Sequence, residues 1–152
     1  MNTEKRIMIR KAAPKDVDAI IGVLKSTKLG SEVWAGDEKW ARKALEECLD
    51  LKHYAFLVAE QDHKIVGFID YCTFPSFWEG VPQGIINHLF VLPAFQGKDV
   101  GTMLLKAVIR QADAQGLSEL HVSTERENIR ARQLYAKHGF TEERLLLERT
   151  RK

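Results

Sequence analysis

The stretch running from Ile85 to Glu125, "IINHLFVLPAFQGKDVGTMLLKAVIRQADAQGLSELHVSTE", constrains this chain more than any other. An apolar run, "IINHLFVLP", ends at Pro93. A glycine-bearing turn, "QGKDVG", follows. The next segment places Val100, Leu104, Val108 and Ala112 on one stripe at helical spacing, with Leu105 and Ile109 beside it, and Gly116 closes it. "LSELHVSTE" then reads as a second strand. A strand, a helix and a strand in that order form a parallel unit whose crossover is right-handed.

The remaining segments build around that unit. "RIMIRKAA" alternates as a first strand. Pro14 opens a helix, "PKDVDAIIGVLKST", with Val17, Ile20, Ile21 and Leu24 on one face. "LGSEVWAG" is a loop. "DEKWARKALEECLDL" is a second helix, its inner stripe Ala41, Ala44, Leu45 and Cys48. "HYAFLVAEQ" and "KIVGFIDYCTF" are β-rich and joined by "DH", a hairpin. "PSFWEGVPQG" is rich in turn residues. "NIRARQLYAKHG" is a short helix with Ala131, Leu134, Tyr135 and His138 on one side, and "FTEERLLLERT" is a last strand or strand pair. The order β-α-α-β-β-β-α-β-α-β implies an α/β chain with a mixed sheet and helices packed on it.

At 152 residues the chain suits one domain, residues 1–152, with a real core. A net charge of +2 gives no sign of a general nucleic-acid binder. Cys48 and Cys72 are far apart and fit no metal or redox spacing, and the histidines show no metal-ligand spacing, so no metal is expected. The charged start "MNTEKRIMIRKAAPKD" is not a signal peptide, and no run is long enough to span a membrane. A reduced, cytoplasmic setting is the expectation.

A helix that begins just after a strand presents free N–H groups and the positive end of its dipole, which together suit a phosphate. Glycine lets a ligand come close to the backbone. "QGKDVG" supplies both features, and Lys98 adds charge. It is neither the phosphate loop "GxxxxGK[ST]" nor the dinucleotide fingerprint "GxGxxG". On this ground alone, a purely structural turn explains it equally well.

The context adds to that reading. "LFVLPAFQGKDVGTMLL" followed by "ERENIRARQLYAKHGF" resembles the GNAT superfamily of acyl-CoA-dependent N-acetyltransferases. The family signature "[QR]-x-x-G-x-[GA]" falls on Gln96 to Gly101. Its segment "N-x-x-A-x-x-L-Y-x-x-x-G-F" falls on Asn128, Ala131, Leu134, Tyr135, Gly139 and Phe140. The element order resembles the family along nearly the whole chain. The resemblance implies a central mixed sheet of six to seven strands, four flanking helices, and a splayed strand pair that forms a cleft for acetyl-CoA.

It also implies roles. Backbone N–H groups through Gln96, Gly97, Lys98, Asp99, Val100, Gly101 and Thr102 would hold the pyrophosphate, with Arg130 or Arg132 touching the phosphates. Phe90 and Val91 would pair with the pantetheine arm, the Val91 amide lying near the acetyl carbonyl. Tyr135 would protonate the leaving thiolate; read without the resemblance, it is a core aromatic. Asn128 would cap its helix and reach the cofactor. The signature's middle glycine is Asp99 here, which tolerates left-handed backbone and is a good N-cap. Its carboxylate would compete with phosphate for the same N–H groups, so a functional but weakened site is expected.

A base is harder to assign. Ile85 and Asn87 are the positions that face the cleft under strict alternation, and neither titrates near neutral pH. His88 titrates in the right range, yet strict alternation turns it to the other face; the bulge that the resemblance implies in this strand would change that, and a satisfied structural histidine is the better reading. A water chain to Glu79, Asp70 or a backbone carbonyl is equally open. Trp34, Phe77 and Trp78 lie in the two loops that border the acceptor side in the family, with Glu32 and Glu79 beside them; Trp34, Trp78 and Glu79 are the expected substrate contacts. The resemblance thus implies transfer of an acetyl group to a primary amine, on a small molecule or a protein, by direct attack without a covalent enzyme intermediate. A homodimer is one expected form. The rival is a non-catalytic module with this fold that binds CoA and regulates a partner.

Overall fold

A computed structural model describes residues 6–27 and 37–151. Five strands form one sheet in the order β1-β2-β3-β4-β5: β1 Met8–Lys11, β2 Tyr54–Gln61, β3 Lys64–Pro75, β4 Pro82–Val91 and β5 Leu120–Val122. The first four are antiparallel neighbours, and β4 and β5 are parallel. The helices are α1 Val17–Ser26, α2 Glu38–Asp50, α3 Val100–Ala114 and α4 Ile129–Lys137. None of the described helices is long and apolar enough to cross a membrane.

The sheet separates two apolar layers. On one face Leu57, Ile69, Tyr71 and Ile86 pack with Val100, Leu104, Leu105 and Val108 of α3 and with Tyr135 of α4. On the other, Phe56, Val58, Ile65 and Phe68 pack with Ile20, Ile21 and Val23 of α1 and Leu45 of α2. The stripes expected for α2 and α3 are the ones that turn inward. In α1, Val23 is buried and Leu24 only half-buried, a shift of one residue around the helix.

Local chemistry explains the connections. The "DH" pair turns β2 into β3 with Asp62 and His63 at φ 50° and 62°, the left-handed angles that a two-residue hairpin needs. Asp37 caps α2 by accepting from the Lys39 N–H at 2.9 Å. Asp16 is buried, and Arg10 reaches it from β1 at 2.7 and 2.9 Å while also holding Glu60 of β2 at 2.6 Å. That cluster ties β1, β2 and the start of α1 together.

Two expectations need correction. The sheet has five described strands, not six to seven. The segment "FTEERLLLERT" forms no strand, because residues 141–151 pair with no strand among the described residues. The strand expected over "LSELHVSTE" shrinks to Leu120–Val122, which among the described residues pairs only with Gly84, Ile85 and Ile86. Beyond Ile86, β4 runs on for five residues with no β5 beside it, a stretch of about 17 Å at ordinary strand rise. The expected splay lies here.

Candidate active site

The open edge of β4 carries specific backbone groups. The Leu92 N–H donates to the Val66 carbonyl of β3 at 2.8 Å. Strand alternation therefore turns the N–H and C=O of Phe90 toward β3, and those of Leu89 and Val91 toward the gap. At the other end of β4 the Gly84 N–H points to the β5 side and donates to the Glu119 carbonyl at 2.9 Å. Even-numbered residues face β5 there, and odd-numbered ones face the gap further on. The change of parity needs one extra residue, and that residue is Asn87: Asp70 pairs with His88, but Tyr71 pairs with Ile86. It is a β-bulge.

The bulge brings a polar cluster together. His88 Nδ1 lies 2.8 Å from Asp70 Oδ1, and the Tyr54 hydroxyl donates to Asp70 Oδ2 at 2.6 Å. The Asn87 amide donates to the Tyr54 hydroxyl at 3.0 Å. Asp70 is fully buried (0 % exposed), whereas the His88 side chain is 55 % exposed. The hydrogen bond that His88 donates to Asp70 raises the His88 pKa above its ordinary value, with burial opposing it. Burial, followed by the Asp70 charge, keeps the Tyr54 phenol protonated well beyond its usual range. With its Nδ1–H on the carboxylate, His88 keeps Nε2 as a free acceptor. This cluster sits on the α1/α2 face, with the His88 ring beside Phe90 at 6.1 Å.

The turn after β4 is shaped as a cradle. Gly97 (φ 75°) and Asp99 (φ 61°) both take left-handed angles. Asp99 is the N-cap of α3 by position, but its side chain makes no capping hydrogen bond. Its carboxylate thus takes none of the N–H groups at the start of the helix, and what it brings to the turn is its negative charge. The first intrahelical bond of this turn runs from the Met103 N–H to the Asp99 carbonyl at 2.9 Å. The N–H groups of Val100, Gly101 and Thr102 thus have no partner within their helix. Val100 gives only its backbone to the turn, since its side chain lies in the core. The Gln96 amide donates to the Val91 carbonyl at 3.1 Å. Lys98 lies over the Phe95 ring, 5.4 Å from its centre. A side chain built at Gly97 would meet Arg130 at 3.7 Å, so α4 brings a guanidinium to the cradle. Arg132 instead pairs with Glu143 at 2.6 Å. The site is thus furnished for an anion: free N–H groups, a helix N-terminus, Lys98 and Arg130.

Tyr135 lies across the sheet from His88. Its ring is buried beside Phe140, 5.7 Å between centres. Burial raises its pKa, so the phenol stays protonated at neutral pH. Its hydroxyl has no hydrogen-bond partner among the described residues, and no buried side-chain nitrogen or oxygen there is unsatisfied. The hydroxyl therefore reaches an open surface. Asn128 caps α4, accepting from the Ala131 N–H at 3.1 Å.

The loop aromatics are not gathered here. Phe77 and Trp78 are 97 % and 87 % exposed at the tip of the β3–β4 hairpin, with Glu79 beside them. That tip is closed by the Pro75–Pro82 pair, about 16 Å along the strand from His88. Trp34 and Glu32 lie outside the described residues. Sequence reasoning missed the pairing of His88 with Asp70. The available signal was Asp70 itself, a lone carboxylate inside the apolar run "KIVGFIDYCTF", which a buried strand tolerates only with a partner.

Fold and site define an acyltransferase of the N-acetyltransferase class. The chain belongs to the acetyltransferase (GNAT) family, whose model matches residues 20–140. An uncharacterized N-acetyltransferase of Archaeoglobus fulgidus is 31 % identical over 130 residues, 84 % of this chain and 88 % of that protein. The aminoglycoside N(6')-acetyltransferase type 1 of Salmonella typhimurium is 30 % identical over 128 residues, 81 % of this chain and 88 % of that protein. Among solved structures, the aminoglycoside N-acetyltransferase AAC(6')-Iy in complex with CoA superposes with a TM-score of 0.82 at 25 % identity. That match covers 100 % of this chain and 99 % of the other.

Proposed function

We propose that this chain transfers an acetyl group from acetyl-CoA to a primary amine on a small polycationic molecule, with aminoglycosides the first class to test. The observation that carries this reading is the unpaired stretch of β4, which leads straight into the glycine cradle at the start of α3. The aminoglycoside class comes from relatives that match most of their length.

The residues divide the work by face. The gap-facing groups of Leu89 and Val91 would pair with the pantetheine arm, and the Val91 N–H would hold the developing oxyanion. The N–H groups of Val100, Gly101 and Thr102, with Lys98 and Arg130, would hold the pyrophosphate. Bound there, acetyl-CoA supplies the thioester carbonyl that the amine attacks. His88 Nε2 accepts the proton that the amine must lose, and Asp70 fixes the tautomer that leaves Nε2 free. From the opposite face, the Tyr135 hydroxyl donates a proton to the leaving sulfur. A base and an acid on opposite faces of one gap suit attack from one side and departure on the other.

The test is thiol release from acetyl-CoA with a panel of aminoglycosides, polyamines and amino acids, beside calorimetric titration with CoA. Saturable release with at least one amine is expected. Tyr135→Phe should bind CoA as well as the parent protein and lose about 100-fold in kcat. CoA binding without transfer to any amine would instead make this a CoA-binding module, and absence of CoA binding would remove the reading altogether.

A further inference from the structure

The cluster behind His88 holds one hydroxyl that the proposed chemistry does not use, that of Tyr54. The residue stands on β2, directly opposite Cys72 of β3, and its ring stacks on Phe56 at 5.4 Å. The Asn87 amide donates to the hydroxyl oxygen at 3.0 Å. An amide nitrogen donates and cannot accept, so the phenolic proton has to point elsewhere. It points to Asp70 Oδ2, at 2.6 Å. The other carboxylate oxygen, Oδ1, faces His88 Nδ1 at 2.8 Å. The hydrogen bonds therefore have a fixed direction: Asn87 donates to Tyr54, Tyr54 donates to Asp70, and His88 donates to Asp70 from the other side.

That direction has an electrostatic consequence. Asp70 is fully buried, so its charge is shared by its donors rather than by bulk water. Each donor to an ionised carboxylate stabilises the anion and weakens its pull on other protons. Without the Tyr54 proton, Asp70 would grip a protonated His88 more tightly, and His88 would release its proton only at higher pH. A general base needs the reverse. The titratable groups around the carboxylate, among the described residues, are Tyr54 of β2, Cys72 of β3, His88 of β4 and Cys48 of α2. Burial pushes the Cys48 thiol up, and the Tyr54 phenol stays protonated. Asp70 is the charge that acts on His88.

We propose that Tyr54 is a positioning residue for the base: its hydroxyl, aimed by Asn87, draws charge from Asp70 and so keeps His88 neutral, with Nε2 free, near neutral pH. The inference rests on the reading of His88 as the base. Its own content is the coupling of Tyr54 to His88 through Asp70, which is measured without turnover.

NMR titration of the His88 ring in the whole protein tests it. Tyr54→Phe should move the His88 midpoint up by about one pH unit. In an Asp70→Asn background the same substitution should move it by less than about 0.3 unit, because the charge that carries the effect is gone. A second variant, Asn87→Ala, keeps the phenol but lets its hydroxyl turn away, and should shift the midpoint in the same direction by less. In thiol-release assays the acidic limb of kcat/KM for Tyr54→Phe should follow the His88 midpoint. Above that limb its plateau should stay within about threefold of the parent's. A midpoint that falls or stays put in Tyr54→Phe would overturn the proposal. Equal shifts with and without the Asp70 charge would do the same. A midpoint that moves as expected, beside a turnover profile that does not, would leave the coupling standing and remove His88 as the base.

Discussion

Asp99 offers a sharp test of the cradle, because its backbone and its charge pull in different directions. It holds φ 61° and ψ 7°, a conformation that aspartate and asparagine tolerate nearly alike. Its side chain makes no capping hydrogen bond, so Asp99→Asn breaks no bond of the fold. What changes is one negative charge beside the N–H groups proposed to hold a pyrophosphate. At about 6 Å in water, two phosphate charges and one carboxylate repel by about 1 kcal/mol. Removing that repulsion should tighten CoA binding about fivefold at low ionic strength. At physiological salt the screening length is close to the separation itself, so the gain should shrink to about twofold. The assay is calorimetric titration with CoA at two salt concentrations, beside thermal melts that should coincide with the parent's. Asp99→Gly should show the same gain in affinity with a change in stability of less than about 1 kcal/mol, since relief of the left-handed angle is offset by a freer unfolded chain. A gain that ignores salt, or no gain at low salt, would refute the placement of phosphate at this turn.

Three further outcomes follow from the packing. Asp70→Asn should lower the plateau of kcat/KM by about 100-fold, because an amide that donates to Nδ1 moves the imidazole proton to Nε2 and takes away the acceptor. His88 acts as a base only when neutral, so activity should fall as pH drops through its raised pKa; removing the Asp70 charge should move that acidic limb to lower pH. Asp16 has its pKa lowered, first by its hydrogen bond from Arg10. Its contribution is present above the unfolded carboxylate value and lost as pH falls below about 4, where acid melts should report it, and Asp16→Asn should cost about 2 kcal/mol at neutral pH and flatten that loss. Gly67→Ala sets a methyl 2.9 Å from the Phe90 carbonyl and 3.3 Å from Val91, and should cost about 1–3 kcal/mol in chemical denaturation while displacing the gap-facing edge of β4.

Much of this architecture is legible in the sequence, for reasons that differ by element. The stripe Val100, Leu104, Val108 and Ala112 becomes the buried face of α3 because one long amphipathic helix allows no other solution. The hairpin at "DH" follows from two β-rich runs separated by two residues that accept left-handed angles. The segment "FTEERLLLERT" has strand composition, yet composition does not supply a partner, and a strand without one is not a strand. Strict alternation failed at His88 for a related reason. It assumes that each residue of β4 meets one residue of β3, and the bulge at Asn87 breaks that count.

The bulge also explains why the site is where it is. Without it, the parity that lets Gly84 bond toward β5 would continue to the end of β4, and the Val91 N–H would be spent on β3. His88 would point away from Asp70, which would leave a fully buried carboxylate with only Tyr54 and Asn87 to satisfy it. One bulged residue thus sets which amides and which side chains of the outer strand face the gap. Deleting Asn87 removes the extra residue itself, so His88 follows Ile86 in regular alternation and His88 to Val91 keep their β3 partners, with Leu89 and Val91 still facing the gap. What is lost is the Asn87 amide on Tyr54 and Asp70 and the local twist of the bulge. Retained CoA binding in a protein that still melts cooperatively is the expected result. Loss of binding would mean that the twist at the bulge, and not the parity of the edge alone, opens the gap.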